Sequence, residues 1–198
     1  SISRNAEVVL LPNVVHSRQG PRVSQVDNRM ATVTTVGRIC PQKGPEIFAE
    51  AYRAFREAGG SGDVRWVWIG DGDPELRSFL ERAGVWVTGW QSNSTVQELL
   101  SRASMYVHTA RWEGAPIAPL EASAFGVPVL MQRTRTTAGL GYLTFDGAEE
   151  LGAATARFFV DQQYRKEFEA FEQERGKRLA PQLQSESLTR LYGLGAPK

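Results

Sequence analysis

Short apolar runs alternate with amphipathic segments along most of this chain, and glycine or proline marks nearly every boundary between them. Residues 7–13 read as a strand entering a turn, and residues 17–28 as a polar loop through Gly20-Pro21. A second strand is expected over 31–36. After Gly44-Pro45 the apolar positions Ile47, Phe48, Ala51, Phe55 and Ala58 keep helical spacing until Gly59-Gly60 stops them. The plan then repeats: a strand over 64–69, a turn through Gly70-Asp71-Gly72, Asp73 as N-cap, Pro74 at the first helical position, and a helix ending at Gly84. A short strand over 85–88 follows, then a helix capped by Ser92 or Ser94 and carried by Leu99, Leu100 and Ala103, then a strand over 105–109. Strands alternating with helices predict an α/β domain with a mainly parallel sheet and helices on both faces, a Rossmann-like three-layer sandwich.

Between the strand at 105–109 and another apolar run at 127–131 lies Glu113-Gly114-Ala115-Pro116-Ile117-Ala118-Pro119-Leu120-Glu121. Pro116 suits the first turn of a helix there. On such a helix Glu121 falls four residues after Ile117 and four before Phe125, so its carboxylate sits on a stripe that otherwise faces the core and needs a partner. Two readings follow. A solvated loop glutamate and a rim carboxylate paired with an arginine account for the pattern, as does an anion site at the helix start with a polyhydroxy ligand between two carboxylates. Beyond residue 131 the pattern weakens to a loop through Thr137 and Gly139, a short strand over 142–144, and helices over 148–160, 163–179 and 185–192.

Composition narrows the choices. The chain has 198 residues, 41% of them hydrophobic, enough for the core of a single domain spanning residues 1–198. A net charge of +1 gives no bulk electrostatic case for nucleic acid, so any anion must be met locally. Cys40 is the sole cysteine, no apolar run reaches the roughly 20 residues of a membrane span, and the opening residues lack a signal-peptide pattern; a soluble, cytoplasmic chain is expected. In open α/β sheets, ligands gather outside the carboxyl ends of the strands. The loop after the strand at 31–36 reads Gly37-Arg38-Ile39-Cys40-Pro41-Gln42-Lys43-Gly44, two cations between glycines with a helix following at once. Such a loop suits a diphosphate without metal, and an ordinary solvated loop accounts for the same residues. It is not a P-loop, because Pro45 follows Gly44 where a Lys and then Ser or Thr would be required.

Gly37-Arg38 with Lys43-Gly44, then Ile69-Gly70-Asp71-Gly72-Asp73, then Glu113 through Glu121 into Ala122, Gly126 and Val127-Pro128-Val129, resemble the nucleotide-sugar-binding, C-terminal half of a retaining GT-B glycosyltransferase of family 4, also called group 1. The resemblance implies that Arg38 and Lys43 grip the donor diphosphate next to Gly37, that Glu113 holds donor-sugar hydroxyls near the reacting carbon, and that Glu121 binds the ribose diol. It implies, further, that backbone groups at Ala115, Ile117 and Ala118 meet the distal phosphate and sugar, and that main-chain groups at Trp86 and Val87 read the base. Glu113, Arg38 and Lys43 are thus the implied catalytic residues. The donor would be a UDP-, GDP- or ADP-sugar, with no metal or other cofactor. The family's N-terminal acceptor domain has no counterpart in residues 1–198. The acceptor, a glycan, lipid or small molecule, and any peripheral membrane association would belong to that other half, leaving this one inactive alone. The stretch after Met131 also departs from the family, with Arg133, Arg135, Thr136 and Thr137 where Gly-Gly followed by Glu is usual. A non-catalytic nucleotide-sugar-binding or regulatory module is the alternative.

Several other residues invite a chemical reading. Asp71-Gly72-Asp73 has the form of an Asp-x-Asp metal motif, but Asp73 before Pro74 is better explained as a helix cap. His108 has no histidine cluster around it, His16 being the other one in the chain, and reads as packed or hydrogen-bonded. Trp66 and Trp68 alternate on a strand as core residues, whereas Trp112 beside Glu113 could equally stack on a ligand.

Overall fold

The structure, a computed structural model, describes residues 30–178 apart from Ala115. The strand expected over 7–13 and the helix over 185–192 lie outside the described residues, as does Ala115. Strands β1 (Thr32–Val36), β2 (Arg65–Ile69), β3 (Trp86–Val87), β4 (Met105–His108), β5 (Val129–Gln132) and β6 (Leu143–Phe145) alternate with helices α1 (Pro45–Glu57), α2 (Pro74–Ala83), α3 (Asn93–Ser101) and α4 (Ala118–Ala124). Helices α5 (Ala148–Val160) and α6 (Gln162–Arg178) follow. Among the described residues no helix is long and apolar enough to cross a membrane.

The strands form one parallel sheet in the order β3-β2-β1-β4-β5-β6. From β1 the chain builds outward through β2 and β3. It then crosses back along α3 to β4 and builds the other way. This reversal between β1 and β4 is a topological switch point, where the loops leaving the two strands diverge and open a crevice. Val33 pairs with Met105 and Thr34 with Tyr106 across it.

Each face of the sheet carries its own core. On one, Phe48 and Phe55 of α1, Leu80 of α2 and Leu151 and Phe158 of α5 cover Val33, Trp66, Trp68, Met105 and Val107. Phe48 lies 4.9 Å from the Trp66 ring and 5.6 Å, edge-on, from that of Trp68, so both tryptophans are core as expected. On the other, Leu100 of α3 and Ala122 of α4 cover Tyr106, Val129 and Met131. Three layers are therefore present.

Local chemistry sets the boundaries. Asp73 Oδ1 accepts from the amides of Glu75 and Leu76 at 2.9 and 3.1 Å, so it is the N-cap of α2, with Pro74 first in the helix. Ser92, rather than Ser94, caps α3 by accepting from the Thr95 amide. Helix α4 differs from expectation: it begins at Ala118, not Pro116. Starting at Pro116 would put Pro119 where the first intrahelical N–H must donate, and proline has none. Instead the Glu121 amide closes the first turn onto Ile117 O at 3.0 Å, leaving Pro119 at a position that needs no donor.

Candidate functional site

The loop after β1 carries Gly37, Arg38 and Lys43, and its neighbours grip it from both sides. Toward β2, the Gly37 amide donates to Ile69 O at 3.0 Å, Trp68 Nε1 donates to Gly37 O at 2.9 Å, and the Ile39 amide donates to Asp71 O at 2.8 Å. A Cβ on Gly70 would stand 2.2 Å from Gly37 O, so glycine permits this approach. Toward β4, Thr109 Oγ1 donates to Lys43 O at 2.7 Å, the Arg111 amide donates to Gln42 O at 2.9 Å, and Gln42 Nε2 donates to Trp112 O at 3.0 Å. Gly44, at φ +66°, lies against Thr109 O, where a Cβ would be 2.3 Å away. The loops leaving β1 and β4 therefore form one unit across the switch point.

That unit brings Lys43 to Glu113, 70 residues later. Lys43 Nζ donates to Glu113 Oε1 at 2.7 Å. His108, the last residue of β4, sends Nε2 to within 2.9 Å of Glu113 Oε2. Both of these atoms are buried without another partner. At 2.9 Å the contact has the length of a hydrogen bond without its full alignment, and it sets the polar edge of the ring against the carboxylate. Burial works to raise the Glu113 pKa, but the contacts from His108 and Lys43 outweigh it and bring it down to about 2. Glu113 is a fixed carboxylate rather than a proton donor.

The other expected residues surround this centre. Arg38 is exposed on the same loop, without an ion-pair or hydrogen-bond partner among the described residues. Glu121 is half-buried in the first turn of α4, its carboxylate likewise without one. The apolar stripe expected through Ile117 is not formed, since Ile117 is 56% exposed just before the helix. Its amide and that of Ala118 are free of intrahelical partners by position. β3 is an edge strand among the described residues: Val87 is buried, while Trp86 is exposed beneath the Arg65 guanidinium, 5.5 Å from its ring. In the sheet order β3 lies two strands from β1, and its free edge faces away from β2. Trp112 is 58% exposed beside Glu113.

Asp71 is committed elsewhere. The Gly72 amide first, and then Arg77 at 2.8 Å, hold its carboxyl below the usual carboxylate range. After β5, Arg133 pairs with Asp146 at 2.9 Å, and Thr137 Oγ1 donates to Gln132 O at 2.6 Å, so the atypical loop folds on itself. His108 reads from the sequence as packed or hydrogen-bonded rather than catalytic. It is packed, at 3% side-chain exposure, and yet its ring reaches Glu113. Its place at the carboxyl end of β4, five residues before Glu113, was the available signal.

A family model described as "Glycosyl transferases group 1" matches residues 31–161, more than half of the chain. Among curated proteins, the chain is 32% identical over 123 residues to the UDP-Gal:alpha-D-GlcNAc-diphosphoundecaprenol alpha-1,3-galactosyltransferase of Escherichia coli, covering 58% of this chain and 31% of that protein. It is also 32% identical over 105 residues to the putative teichuronic acid biosynthesis glycosyltransferase TuaC of Bacillus subtilis, covering 53% and 25%. Among solved structures, Anabaena Alr3699/HepE in complex with UDP superposes with a TM-score of 0.68 at 18% identity, over 83% of this chain and 49% of that one. The chain thus spans about a quarter to a third of the curated relatives it matches.

Proposed function

The chain belongs to the glycosyl transferases of group 1, and on that premise we propose that it is the donor-binding part of a retaining, metal-independent family 4 transferase moving a hexose from a nucleoside diphosphate to an acceptor. The observation that carries the reading is the convergence, at one switch-point crevice, of a clamped cationic loop and a carboxylate held ionised by Lys43 and His108. Lys43 and the exposed Arg38 would take the diphosphate. Glu113 would accept from donor-sugar hydroxyls, Glu121 from the ribose diol, and main-chain groups at Trp86 and Val87 would read the base. HepE was solved with UDP, which makes UDP the first nucleotide to try.

As the bond from the sugar's anomeric carbon to the diphosphate oxygen breaks, negative charge grows on that oxygen. Arg38 and Lys43 on the clamped loop, with the amides of Ile117 and Ala118 at the helix start, would then stabilise the departing diphosphate more than the bound donor. These groups neutralise a diphosphate without a divalent ion. Asp71, tied to Arg77, is not needed. Acceptor recognition belongs to parts of the enzyme that the donor stations do not include. The E. coli relative's named acceptor is a diphosphoundecaprenol-linked sugar, which supports a peripheral membrane partner on that side. The free Cys40 fits work in the cytoplasm.

The test is a thermal-shift and calorimetry panel of UDP, GDP, ADP and their sugars on residues 1–198. A nucleotide at 100 times its dissociation constant stabilises the fold by about 2.7 kcal/mol. Binding without turnover is expected, because holding donor and acceptor together is worth about 7–11 kcal/mol of barrier and donor stations alone cannot supply it. Absence of binding to every nucleotide would refute the reading; multiple turnovers by these residues would refute its division of labour.

A further inference from the structure

We propose that His108 is a positioning residue for Glu113, its buried ring fixing one carboxylate oxygen so that the other stays directed into the crevice, shared between Lys43 and a donor-sugar hydroxyl. The inference rests on the donor-sugar reading of Glu113 given above.

The two oxygens of Glu113 are unlike. Oε2 is buried, with His108 Nε2 at 2.9 Å and no other neighbour to bond, whereas Oε1 takes a hydrogen bond from Lys43 at 2.7 Å. The side chain keeps 20% of its surface exposed, and since Oε2 contributes none, the oxygen available to a ligand is Oε1. Lys43 cannot fix this geometry alone. Its ammonium ends a flexible four-carbon stem, and the diphosphate that it is proposed to grip would draw it away from Oε1. His108 lies on the last residue of a fully buried strand, with its ring stacked on Tyr106 at 6.3 Å between centroids. It is the rigid anchor of the two.

The ring's hydrogens follow from its neighbours. An ionised carboxylate only accepts, so the hydrogen facing Oε2 must sit on Nε2. On the opposite edge, Tyr106 Oη lies 3.4 Å from Nδ1. Burial pushes the Tyr106 hydroxyl up, so it keeps its proton and can offer it to Nδ1. A buried tyrosine thus orients a buried histidine, which orients the carboxylate. Because His108 touches neither the diphosphate stations nor the base stations, its loss should be felt through the sugar alone.

The experiment measures, on residues 1–198, how much more tightly a sugar nucleotide binds than UDP, using whichever of UDP-glucose, UDP-galactose and UDP-N-acetylglucosamine binds best. His108→Asn is polar but too short to reach Oε2, whereas His108→Gln can place an amide N–H there; both keep the pocket polar, so folding is preserved for the comparison. Expected is a loss of about fivefold or more in the sugar's contribution for His108→Asn, UDP affinity within twofold of wild type, and recovery in His108→Gln. The carboxyl carbon NMR signal of Glu113 should titrate about one pH unit higher in His108→Asn than in wild type, and this reading needs no ligand. If Glu113→Gln erases the sugar's contribution while His108→Asn leaves it intact, or if His108→Asn weakens UDP and sugar nucleotide equally, the positioning role is overturned. If the NMR midpoint moves but Glu113→Gln leaves sugar binding untouched, the donor-sugar reading has failed instead, and the proposal with it.

Discussion

Glu113→Gln keeps the shape of the side chain and removes its charge, so it measures what Lys43 and His108 gain from facing a carboxylate. A carboxyl lowered from an ordinary 4.5 to about 2 gains, at 1.36 kcal/mol per pH unit, at most about 3.4 kcal/mol in its ionised form. With the group at a crevice mouth and 20% of its side chain in water, screening reduces this to about 1–2 kcal/mol. The sign is fixed by the direction of the change. A folded-state pKa below the unfolded one gives stability that is present in full above the unfolded value and is lost as pH falls through the folded value. Urea unfolding of wild type and Glu113→Gln should therefore show a gap of about 1–2 kcal/mol at pH 5 that shrinks to less than half by pH 3. Any fixed cost of burying the amide adds equally at both pH values and cancels in the difference between the two gaps, which should be at least about 0.5 kcal/mol. A gap that stays constant within about 0.3 kcal/mol between the two pH values would show that the Lys43 and His108 contacts do not hold the carboxylate ionised.

Glu121→Gln should weaken nucleotide binding by about 1.5–3 kcal/mol by calorimetry, the range for a hydrogen bond to a charged group, and equal affinity would remove its ribose role. Nucleotide affinity should be the same in EDTA as in magnesium or manganese; a tenfold loss in EDTA would return Asp71 and Asp73 to consideration as ligands. Gly44→Ala forces a left-handed residue to carry a Cβ 2.3 Å from Thr109 O, so it should destabilise the domain by about 1–3 kcal/mol and weaken nucleotide binding with it. An unchanged unfolding midpoint in that variant would mean that the β1 and β4 loops are not held together as described.

The fold was legible because its boundaries are written in residues with little conformational choice. Asp73 before Pro74, Gly84 after α2, and Gly59-Gly60 after α1 each allow few local structures, and the apolar spacing between them needed nothing from elsewhere in the chain. Legibility failed where two such signals competed. Pro116 and Pro119 are each acceptable near a helix start, but they are too close for both to lie inside one, and the backbone donor count decides for the second. The cost of choosing the first was a misplaced Ile117: read as part of a core-facing stripe, it lies exposed ahead of the helix.

The site divides along a similar line. Arg38, Lys43, Glu113 and Glu121 could be nominated because each sits in a loop or first turn at the carboxyl end of a strand, the one place in a parallel sheet where side chains converge. Which of them touch could not be read, since Lys43 and Glu113 meet only when β1 and β4 become neighbours, and that adjacency depends on the chain reversing after β3. The same reversal explains why His108 read as no more than a packed or hydrogen-bonded residue. Within its own strand it is one more buried residue in an apolar run, and its chemistry exists only because the following loop, tied to Gln42 and Lys43, folds Glu113 back over the strand end. A diphosphate placed at Lys43 would bring further negative charge toward Glu113 and favour its protonation. Holding that carboxylate ionised beside such a ligand needs a cation or donor that the ligand cannot claim, and in this crevice the group buried too deeply to be claimed is His108.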